Sequence, residues 1–471
     1  MATSTPYTGK SITDTLATEL LGMICGYLPR EDLLSFRLTS KTCAEVASKD
    51  LVQDLNVMFT EKSFENLLNI SKQPSLSKHV RSLYYEPRTL RPVSRVALET
   101  AMQMDWYADN GPTPYPISRE PIEYWESYSD ISNRESHIMV SYYDISVLAQ
   151  ALPNFKNLKK IRVDSDGLPS PQASSAHIPT GNECKWLLHH DPTDQNCTRF
   201  RALLSILTAV SLPGTELTSF TATVIPDRFF RIFNGNRNLM LPIAPYLKRI
   251  DISLAPIDWL KTSREVDLGI HKFLRPAANL EDLRIAIDRK YLNDGWDHNT
   301  PIPWNSVVGS WKIPKLRNLI LCNASGTQEC FSKFLEDHTE TLDYVCMENM
   351  WLEGDISGWG SVFTTLQSLA LSTCQLEGTW AGRWDAKTNE PLSVSMDLRY
   401  YQIHSERYPG LSVLLKRLED DESLVPNLKR LLQLFIVDGP LPAGDLKFTA
   451  SKAWEIAVRQ AKFPRGDIDG A

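Results

Sequence analysis

The amino-acid sequence predicts a mixed α/β chain in which three short N-terminal helices precede an irregular solenoid of alternating strands and helices. Two patterns predict this architecture. Apolar residues recur at helical spacing near the start, and a six-residue strand pattern recurs further along at intervals of about 30 residues. The length of 471 residues exceeds what one compact core usually contains but suits a small module followed by a solenoid.

The first helix is predicted from one apolar stripe, and a proline and polar residues then mark two further helices. Pro29 marks the boundary between the first and the second predicted helix. Glu31 and Asp32 place carboxylates at the start of the second helix, where the helix dipole favours them. Ser40 or Thr42 is expected to cap a third helix. The stripe of the first helix consists of Leu16, Leu20, Ile24, Tyr27 and Leu28.

The order and spacing of these residues resemble the F-box motif. The agreement covers Leu16, Glu19-Leu20, Ile24, Leu28-Pro29, Asp32-Leu33-Leu34 and Leu38-Thr39-Ser40-Lys41. The departure is Ala17, where the family usually has proline, so the chain lacks a preset backbone angle at the start of the helix. The resemblance covers a small part of the chain, but its positions agree in both order and spacing.

This resemblance implies a partner, because in the F-box family the motif binds the Skp-type adaptor of a cullin–RING ubiquitin ligase. Three short helices also carry more apolar surface than some forty residues can bury by themselves. The alternative is a helical cap that only shields the next domain. The residues expected to contact the adaptor are Leu16, Leu20, Ile24, Leu28, Pro29, Leu33, Leu34 and Leu38.

The rest of the chain repeats a strand pattern of the form Leu-x-x-Leu-x-Leu, with aliphatic or aromatic substitutions. Its copies begin at Val80, Leu158, Leu217, Leu247, Leu280, Leu316, Leu342, Leu366 and, as a possible last copy, Leu431. From Leu217 to Leu366 the starts are separated by 30, 33, 36, 26 and 24 residues, which is close to the length of a leucine-rich repeat. Prolines precede several copies and favour extended backbone there.

The repeat is degenerate, because the position three residues after the last aliphatic residue, usually Asn or Cys, is matched only by Cys374. An irregular solenoid with uneven turns is therefore expected, and an α/β globule with an open parallel sheet is the alternative. The expected domains are an F-box at 14–51, a region with a linker helix, a first strand and an aromatic-rich insertion at 52–157, the solenoid at 158–440, and a capping helix and tail at 441–471.

Two long gaps interrupt the period and are interpreted as insertions on one face of the solenoid, where long loops often carry function. The first, residues 86–146, is rich in Trp and Tyr, which argues against full disorder. The second, residues 164–198, is rich in Pro, Ser, Asn and Asp, and a partly disordered surface loop is preferred for 164–182.

The candidate substrate-binding residues lie between the buried positions of the strands, since successive side chains of a strand point to opposite faces. The charged members are Arg162, Arg249, Asp251 and Arg284, and the candidate anchors are Ile320 and Tyr344. A solvated face without a partner is the alternative.

Charge and composition disfavour several classes of function. The net charge of −7 removes the usual electrostatic driving force for binding nucleic acid or an anionic membrane. No signal-peptide pattern precedes the motif, and the eight cysteines form no CxxC pair, so an intracellular, soluble protein with reduced thiols is expected. A metal site at the local cluster of Cys184, His189, His190, Asp191 and Cys197 is not favoured, because the spacing fits no zinc pattern.

No motif of a phosphate-binding loop, zinc protease or serine hydrolase is found, so neither an enzyme nor a cofactor is expected. His338, near the end of an apolar helix, is expected to interact with the helix dipole. The combined motifs resemble the large F-box families of filamentous fungi. That resemblance implies a non-catalytic substrate-recognition subunit of an SCF-type ubiquitin ligase, which binds the Skp-type adaptor and an unidentified substrate protein. A scaffold that uses the same parts without a ligase is the alternative.

Overall fold

The computed structural model describes residues 16–90, 93–110, 120–164, 198–212, 215–226, 229–230, 242–254, 270–287, 302–304, 312–352, 361–362, 365–366, 368–383 and 393–397. The chain divides into two compact units. The first contains Met1–His190 and Arg201–Ser219, and the second contains Asp191–Phe200 and Phe220–Ala471.

The first unit begins with three helices, α1 (Thr18–Tyr27), α2 (Arg30–Phe36) and α3 (Lys41–Val52). Pro29 directly precedes α2 and has extended backbone, as the sequence predicts for the start of that helix. Ser40, rather than Thr42, caps α3, and its hydroxyl accepts a hydrogen bond from the Cys43 N–H at 3.1 Å. We refer to α1–α3 as the helical module.

The helical module has a small core of its own. The buried side chains of this core come from all three helices, and partly buried side chains surround them. They are Cys25, Leu33, Ala47 and Leu51, packed against Leu28, Phe36 and Val46. Helix α1 contributes Leu21 and Cys25, which are four residues apart and therefore lie on one face. The predicted stripe of α1 is thus not the face that the module buries.

Three parallel strands follow in the first unit: β1 (Asp54–Met58), β2 (Ser82–Glu86) and β3 (Lys160–Val163). The register aligns Leu55 with Leu83 and Leu83 with Ile161. This alignment makes Val52-x-x-Leu55-x-Val57 an additional copy of the strand pattern. The copy predicted at Val80 does form a strand, β2, but β1 precedes it, so its expected place as the first strand is wrong. Helices α4 (Glu61–Ser71) and α5 (Pro74–Ser77) form the crossover between β1 and β2.

Three helices, α6 (Arg95–Asn110), α7 (Glu120–Val140) and α8 (Tyr143–Ala151), occupy the first predicted insertion. Its aromatic residues have a structural role, because Tyr128 is buried in a cluster with Leu98 and Ile131. Trp125 stacks on Tyr128, with ring centroids 5.7 Å apart. A short 3-10 turn at Leu152–Asn154 and the helix α9 (Thr198–Val210) complete the helical elements near this unit. Residues 165–197, including most of the second predicted insertion, lie outside the described residues.

The second unit contains a mostly parallel sheet. Its main strands, in spatial order, are β4 (Ser219–Ile225, whose first residue belongs to the first unit), β5 (Arg249–Leu254), β6 (Asp282–Ile287), β8 (Asn318–Cys322), β10 (Tyr344–Leu352), β11 (Thr373–Arg383) and β12 (Ser393–Asp397). β12 is antiparallel to β11, whereas the registers of β5 with β6, β6 with β8, β8 with β10 and β10 with β11 are parallel. The short strands β7 (Ile302–Pro303) and β9 (Ala324–Gly326) pair with each other. The described connections contain a 3-10 turn at Ala244–Tyr246 and the helices α10 (Ile270–Leu274) and α11 (Gln328–Asp337).

The repeated pattern explains the core of this sheet. The register places Ile250, Leu283, Leu319, Val345 and Cys374 in one row across five strands. All five side chains are buried. The apolar positions of successive copies therefore form a continuous layer on one face of the sheet.

The predicted copy at Leu366 is in the wrong frame. Strand β11 begins at Thr373, which pairs with Tyr344, so the matching copy is Leu371-x-x-Cys374-x-Leu376. Leu366 and Leu369 are also buried, but they precede the strand. Because apolar residues continue on both sides of the strand start, the pattern fits two frames. The possible last copy at Leu431 and the predicted capping helix at 441–471 lie outside the described residues.

Three copies of the strand pattern have a residue in left-handed backbone two positions after the last patterned residue, within β4 and β10 and directly after β8. Val224, Asn323 and Asn349 have φ values of 53°, 60° and 52°. The buried Asn323 donates its backbone N–H to the Glu348 carbonyl at 2.8 Å and its side-chain amide to the Ile287 carbonyl at 3.3 Å. Asn tolerates left-handed backbone better than most residues. The asparagines therefore stand one position earlier than the leucine-rich pattern predicts.

Candidate functional site

The helical module exposes apolar side chains that would ordinarily be buried. Tyr27 is 88% and Leu38 is 81% exposed, and four further large apolar side chains on α1 and α2 are also exposed. These four are Leu20, Met23, Ile24 and Leu34. Single exposed apolar residues are common, but several within one small module indicate an interaction surface.

Seven of the eight residues predicted to contact the adaptor reach the surface of the module at least in part. Leu20, Ile24, Pro29, Leu34 and Leu38 are exposed, whereas Leu16 and Leu28 are half-buried. Leu33 differs from the others, because only 6% of it is exposed and it packs in the core of the module. Leu33 therefore supports this surface from inside, and its contact with an adaptor stays a prediction.

Sequence reasoning left Met23 and Tyr27 out of the predicted contact set. Helical spacing offers a signal for both, because Tyr27 lies seven residues after Leu20 and Met23 lies three residues after it. Gly26, which directly precedes Tyr27, has no atom within 4 Å of the position where a Cβ would lie. We define the apolar surface as Leu20, Met23, Ile24, Tyr27, Leu34 and Leu38.

The six predicted substrate-binding residues lie on strands, and most of them already have partners. In the second unit Arg249 pairs with Asp282 at 2.7 Å, and Arg284 pairs with Asp251 at 2.8 Å. The Tyr344 hydroxyl donates to the Gln375 side-chain oxygen at 3.0 Å. The structure thus brings opposite charges of neighbouring strands together, which neutralises much of this face.

The same face becomes less charged along the sheet. Parallel register places Arg284 beside Ile320, and Ile320 beside Cys346. Ile320 is half-buried, and Cys346 is buried. Arg162, in the first unit, bonds Asp164 through its Nε at 2.9 Å. In the second unit, Ile320 and Tyr344 therefore remain the candidate anchors with the least competing charge.

Buried polar groups in the first unit form a separate network around Asp144. The carboxylate of this fully buried residue accepts two hydrogen bonds from Arg201, at 2.6 and 3.0 Å, and one from the Ser205 hydroxyl at 3.4 Å. The Arg201 guanidinium lies 4.9 Å from the centre of the Tyr142 ring. A buried carboxylate held in this way fixes α8 against α9 rather than acting on a ligand.

A second buried carboxyl group, Glu135 on α7, interrupts the apolar stripe that includes Tyr128 and Ile131. Its Oε2 accepts the Leu90 N–H at 2.7 Å, whereas its Oε1 has no hydrogen-bond partner among the described residues. Burial raises the pKa of Glu135 to about 8, although the Leu90 N–H opposes this effect. Glu135 is therefore largely a neutral acid at neutral pH.

His338 in the second unit is also a structural residue. Its Nε2 accepts the Ile313 N–H at 2.9 Å, and its Nδ1 lies 2.6 Å from the Phe334 carbonyl, to which the neutral imidazole donates. Burial lowers the pKa of His338, with the Phe334 carbonyl acting against it. The residue lies at the end of α11 as expected, but a neutral ring joins that helix to the segment before β8. A charge–dipole interaction is not needed.

The described residues were also compared with the requirements of a metal site, a membrane-spanning helix and a nucleophilic thiol. No group of His, Cys, Asp or Glu in them is arranged to hold a metal ion, and none of their helices is long and apolar enough to cross a bilayer. Burial raises the pKa of the Cys322 and Cys374 thiols, which makes both poor nucleophiles. The local cluster from Cys184 to Cys197, at which a metal site was not expected, lies outside the described residues.

The comparisons with known proteins address the helical module. No curated protein matches the chain. The family model of the F-box domain matches residues 15–52, which is within one residue of the boundaries 14–51 expected from the sequence. The matched segment contains α1, α2 and α3 with the apolar surface defined above. The helical module of this chain is an F-box domain.

Proposed function

We propose that this chain is the substrate-recognition subunit of an SCF-type cullin–RING ubiquitin ligase, of the kind that the large F-box families of filamentous fungi contain. The observation that carries the proposal is the F-box domain at residues 15–52, with its apolar surface exposed. In this role the chain is not itself a catalyst. It binds a Skp-type adaptor with the F-box domain and a substrate protein with the strand region, and partner subunits transfer ubiquitin.

The energetics of the apolar surface suit a tight adaptor complex. Fully burying one large apolar side chain contributes roughly 1.5–3 kcal/mol. Association costs several kcal/mol in lost motion, so a few buried side chains from α1 and α2 suffice. The most exposed members, Tyr27 and Leu38, have the most surface to bury and are therefore the strongest candidates for energetic anchors.

We infer that the strand region is a degenerate leucine-rich repeat. In-register apolar positions on β5, β6, β8, β10 and β11 support this inference. So does the left-handed residue at the same position of three copies of the pattern. The corrected starts at Leu247, Leu280, Leu316, Leu342 and Leu371 keep a spacing compatible with such repeats. An open parallel sheet without repeat symmetry is the competing description.

Substrate recognition is proposed for the face of the strands opposite the apolar layer. Arg162, Arg249, Asp251 and Arg284 stand in ion pairs, so a substrate that used them would have to compete with their partners. Ile320 and Tyr344 are the proposed anchors. Holding a substrate beside the ubiquitin-charged enzyme raises the effective concentration of its lysines, which is the proposed mechanism.

The adaptor test compares exposed positions only. Full-length protein carrying Tyr27→Ala and Leu38→Ala is expected to capture a purified Skp-type adaptor on the order of tenfold more weakly than wild type. The matched control carries Val96→Ala and Val140→Ala, two exposed apolar residues on α6 and α7, and should bind as wild type does. Undiminished adaptor capture by the folded Tyr27/Leu38 variant would refute the proposed contact surface.

A further measurement separates the ligase from a scaffold. If the adaptor is captured but a cullin never co-purifies with the complex, the scaffold alternative is favoured. Ubiquitin transfer to a protein bound by the strand region would establish the ligase role.

A further inference from the structure

A group of cations in the first unit stands out in a chain whose net charge is −7. These residues lie at the C-terminal end of α3, just after α5, and at the starts of β2 and β3. They are Lys49, Lys78, Arg81, Lys156 and Lys160, and all five are exposed. We call them the basic patch. Sequence composition hides this patch, because its members are spread over more than a hundred positions.

Hydrogen bonds to backbone carbonyls link the segments that carry four members of the patch. The Asn157 side chain donates to the Lys78 carbonyl at 2.6 Å, which places Lys156 beside Lys78. The Arg81 carbonyl accepts the backbone N–H of Lys160 at 3.1 Å. Neighbouring strands lie about 4.8 Å apart, so the backbones of Arg81 and Lys160 are adjacent.

The charges of the patch are not neutralised locally. None of its five members forms an ion pair with another residue in the described part of the chain, whereas nearby Lys159 pairs with Glu216 at 2.8 Å. His79 lies close to Lys49, Lys78 and Arg81, and their positive charges affect its pKa. Burial and then the charges of Lys78, Lys49 and Arg81 lower the pKa of His79, and Asp50 only partly offsets them. A local positive potential therefore persists here.

From this arrangement we propose that the basic patch is a second docking surface, which binds a carboxylate-rich segment of a partner protein. The proposal does not depend on the adaptor role of the F-box domain, because the apolar surface contains none of these residues. The exposure of all five cations and the adjacent backbones at the starts of β2 and β3 suit a flexible acidic segment that lies across this part of the surface.

The surroundings favour an acidic polypeptide over other polyanions. Asp50 acts on the same His79 as the cations, and Asp54 pairs with Ser82, the residue after Arg81. Both aspartates would repel the closely spaced phosphates of a nucleic acid or the headgroups of an anionic membrane. The net negative charge of the whole chain would repel such extended polyanions as well. A flexible peptide can instead place its carboxylates over the cations and keep neutral residues near the two aspartates.

The test measures fluorescence anisotropy of a labelled peptide in which glutamate alternates with serine, mixed with the full-length protein. A second peptide has glutamine in place of every glutamate. We expect binding of the glutamate peptide only, and an affinity that falls as salt is added, because exposed charges are screened. In Lys78→Glu with Arg81→Glu, the dissociation constant should rise at least about tenfold.

The control variant carries Lys62→Glu and Arg275→Glu, which changes the net charge equally at exposed sites outside the patch. It should bind the glutamate peptide within about twofold of wild type. An equal loss in both variants would mean that only the overall charge matters and would overturn the proposal. So would absence of binding, or tighter binding of a mixed-sequence DNA oligonucleotide or of phosphatidylserine vesicles than of the peptide. Matching circular dichroism spectra would show that all variants are folded.

Discussion

The F-box domain and the α/β region after it depart in opposite ways from the rule that apolar side chains are buried and polar side chains are exposed. The F-box domain leaves large apolar side chains such as Tyr27 and Leu38 in solvent. The α/β region does the opposite, because it buries polar groups such as Glu135, Asp144 and His338. An exposed apolar group is satisfied by an external partner, whereas a buried polar group must find its partner within the chain. The first kind of exception therefore indicates binding, and the second indicates internal structure.

The difference also predicts how mutations act. Exposed apolar residues cost a folded protein little, but a buried charge that loses its partner is expensive. Substitutions in the α/β region should therefore change stability, and substitutions on the apolar surface should change binding alone.

The largest expected effect is the loss of the Asp144 carboxylate. Asp144→Ala leaves the Arg201 guanidinium without its two hydrogen bonds in a largely buried setting, and we expect a loss of about 3–5 kcal/mol in unfolding free energy. Chemical denaturation followed by tryptophan fluorescence measures this. The control is Asp130→Ala, which removes an exposed pair with Arg134 and should cost less than about 1 kcal/mol. Similar losses in both variants would contradict the structural role of the buried pair.

Glu135→Gln is expected to stabilise the protein. The folded state keeps the proton of Glu135 up to pH about 8, whereas an unfolded glutamate releases it near pH 4. Between these values folding must take up a proton, so the wild type loses stability as pH rises through this window. The glutamine variant keeps an acceptor for the Leu90 N–H without this cost, and it should gain on the order of 3 kcal/mol at neutral pH.

Denaturation curves at several pH values measure this effect. The gain of the Glu135→Gln variant should be small near pH 4 and should grow as pH rises to about 8. Glu126→Gln, which changes an exposed carboxylate on the same helix, serves as the control. A gain that does not vary with pH would show that Glu135 is not protonated in the folded state.

The smallest expected effect on stability lies on the apolar surface. Leu38→Ala should change the unfolding free energy by less than about 0.5 kcal/mol, because the side chain is almost fully exposed. Leu33→Ala should cost several times more, since Leu33 packs in the core of the F-box domain. Thermal unfolding of the two variants provides the comparison. Equal destabilisation would mean that Leu38 is covered by the chain itself.

Sequence reasoning predicted the helical module well because capping residues and a proline mark helix ends directly. Pro29 and Ser40 both lie where their chemistry predicts. The face that each helix buries was harder to predict. Helix α1 is apolar on two faces, and only tertiary packing decides that Leu21 and Cys25 turn inward while Leu20 and Ile24 do not.

For the strands, too, the sequence predicted the buried positions better than the exact strand starts and the contacts between strands. The pattern identifies the buried positions of β5, β6, β8 and β10, but the copy at Val52 was missed because that residue also ends a helix. The copy at Leu366 was assigned in the wrong frame, since several apolar residues precede β11. Ion pairs such as Arg284–Asp251 depend on the register between strands, which a single strand does not encode. The basic patch depends on the same long-range pairing.

The junction between the F-box domain and the sheet of the first unit has a mechanical consequence. Helix α3 ends at Val52 and β1 begins at Asp54, so Gln53 alone separates them. The Gln53 carbonyl is itself held by the backbone N–H groups of Arg81 and Ser82, at 2.9 and 3.0 Å. A one-residue linker whose carbonyl accepts two hydrogen bonds allows little independent movement of α3 and β1. We therefore expect a protein that displaces α3 to displace β1 and β2 together with it.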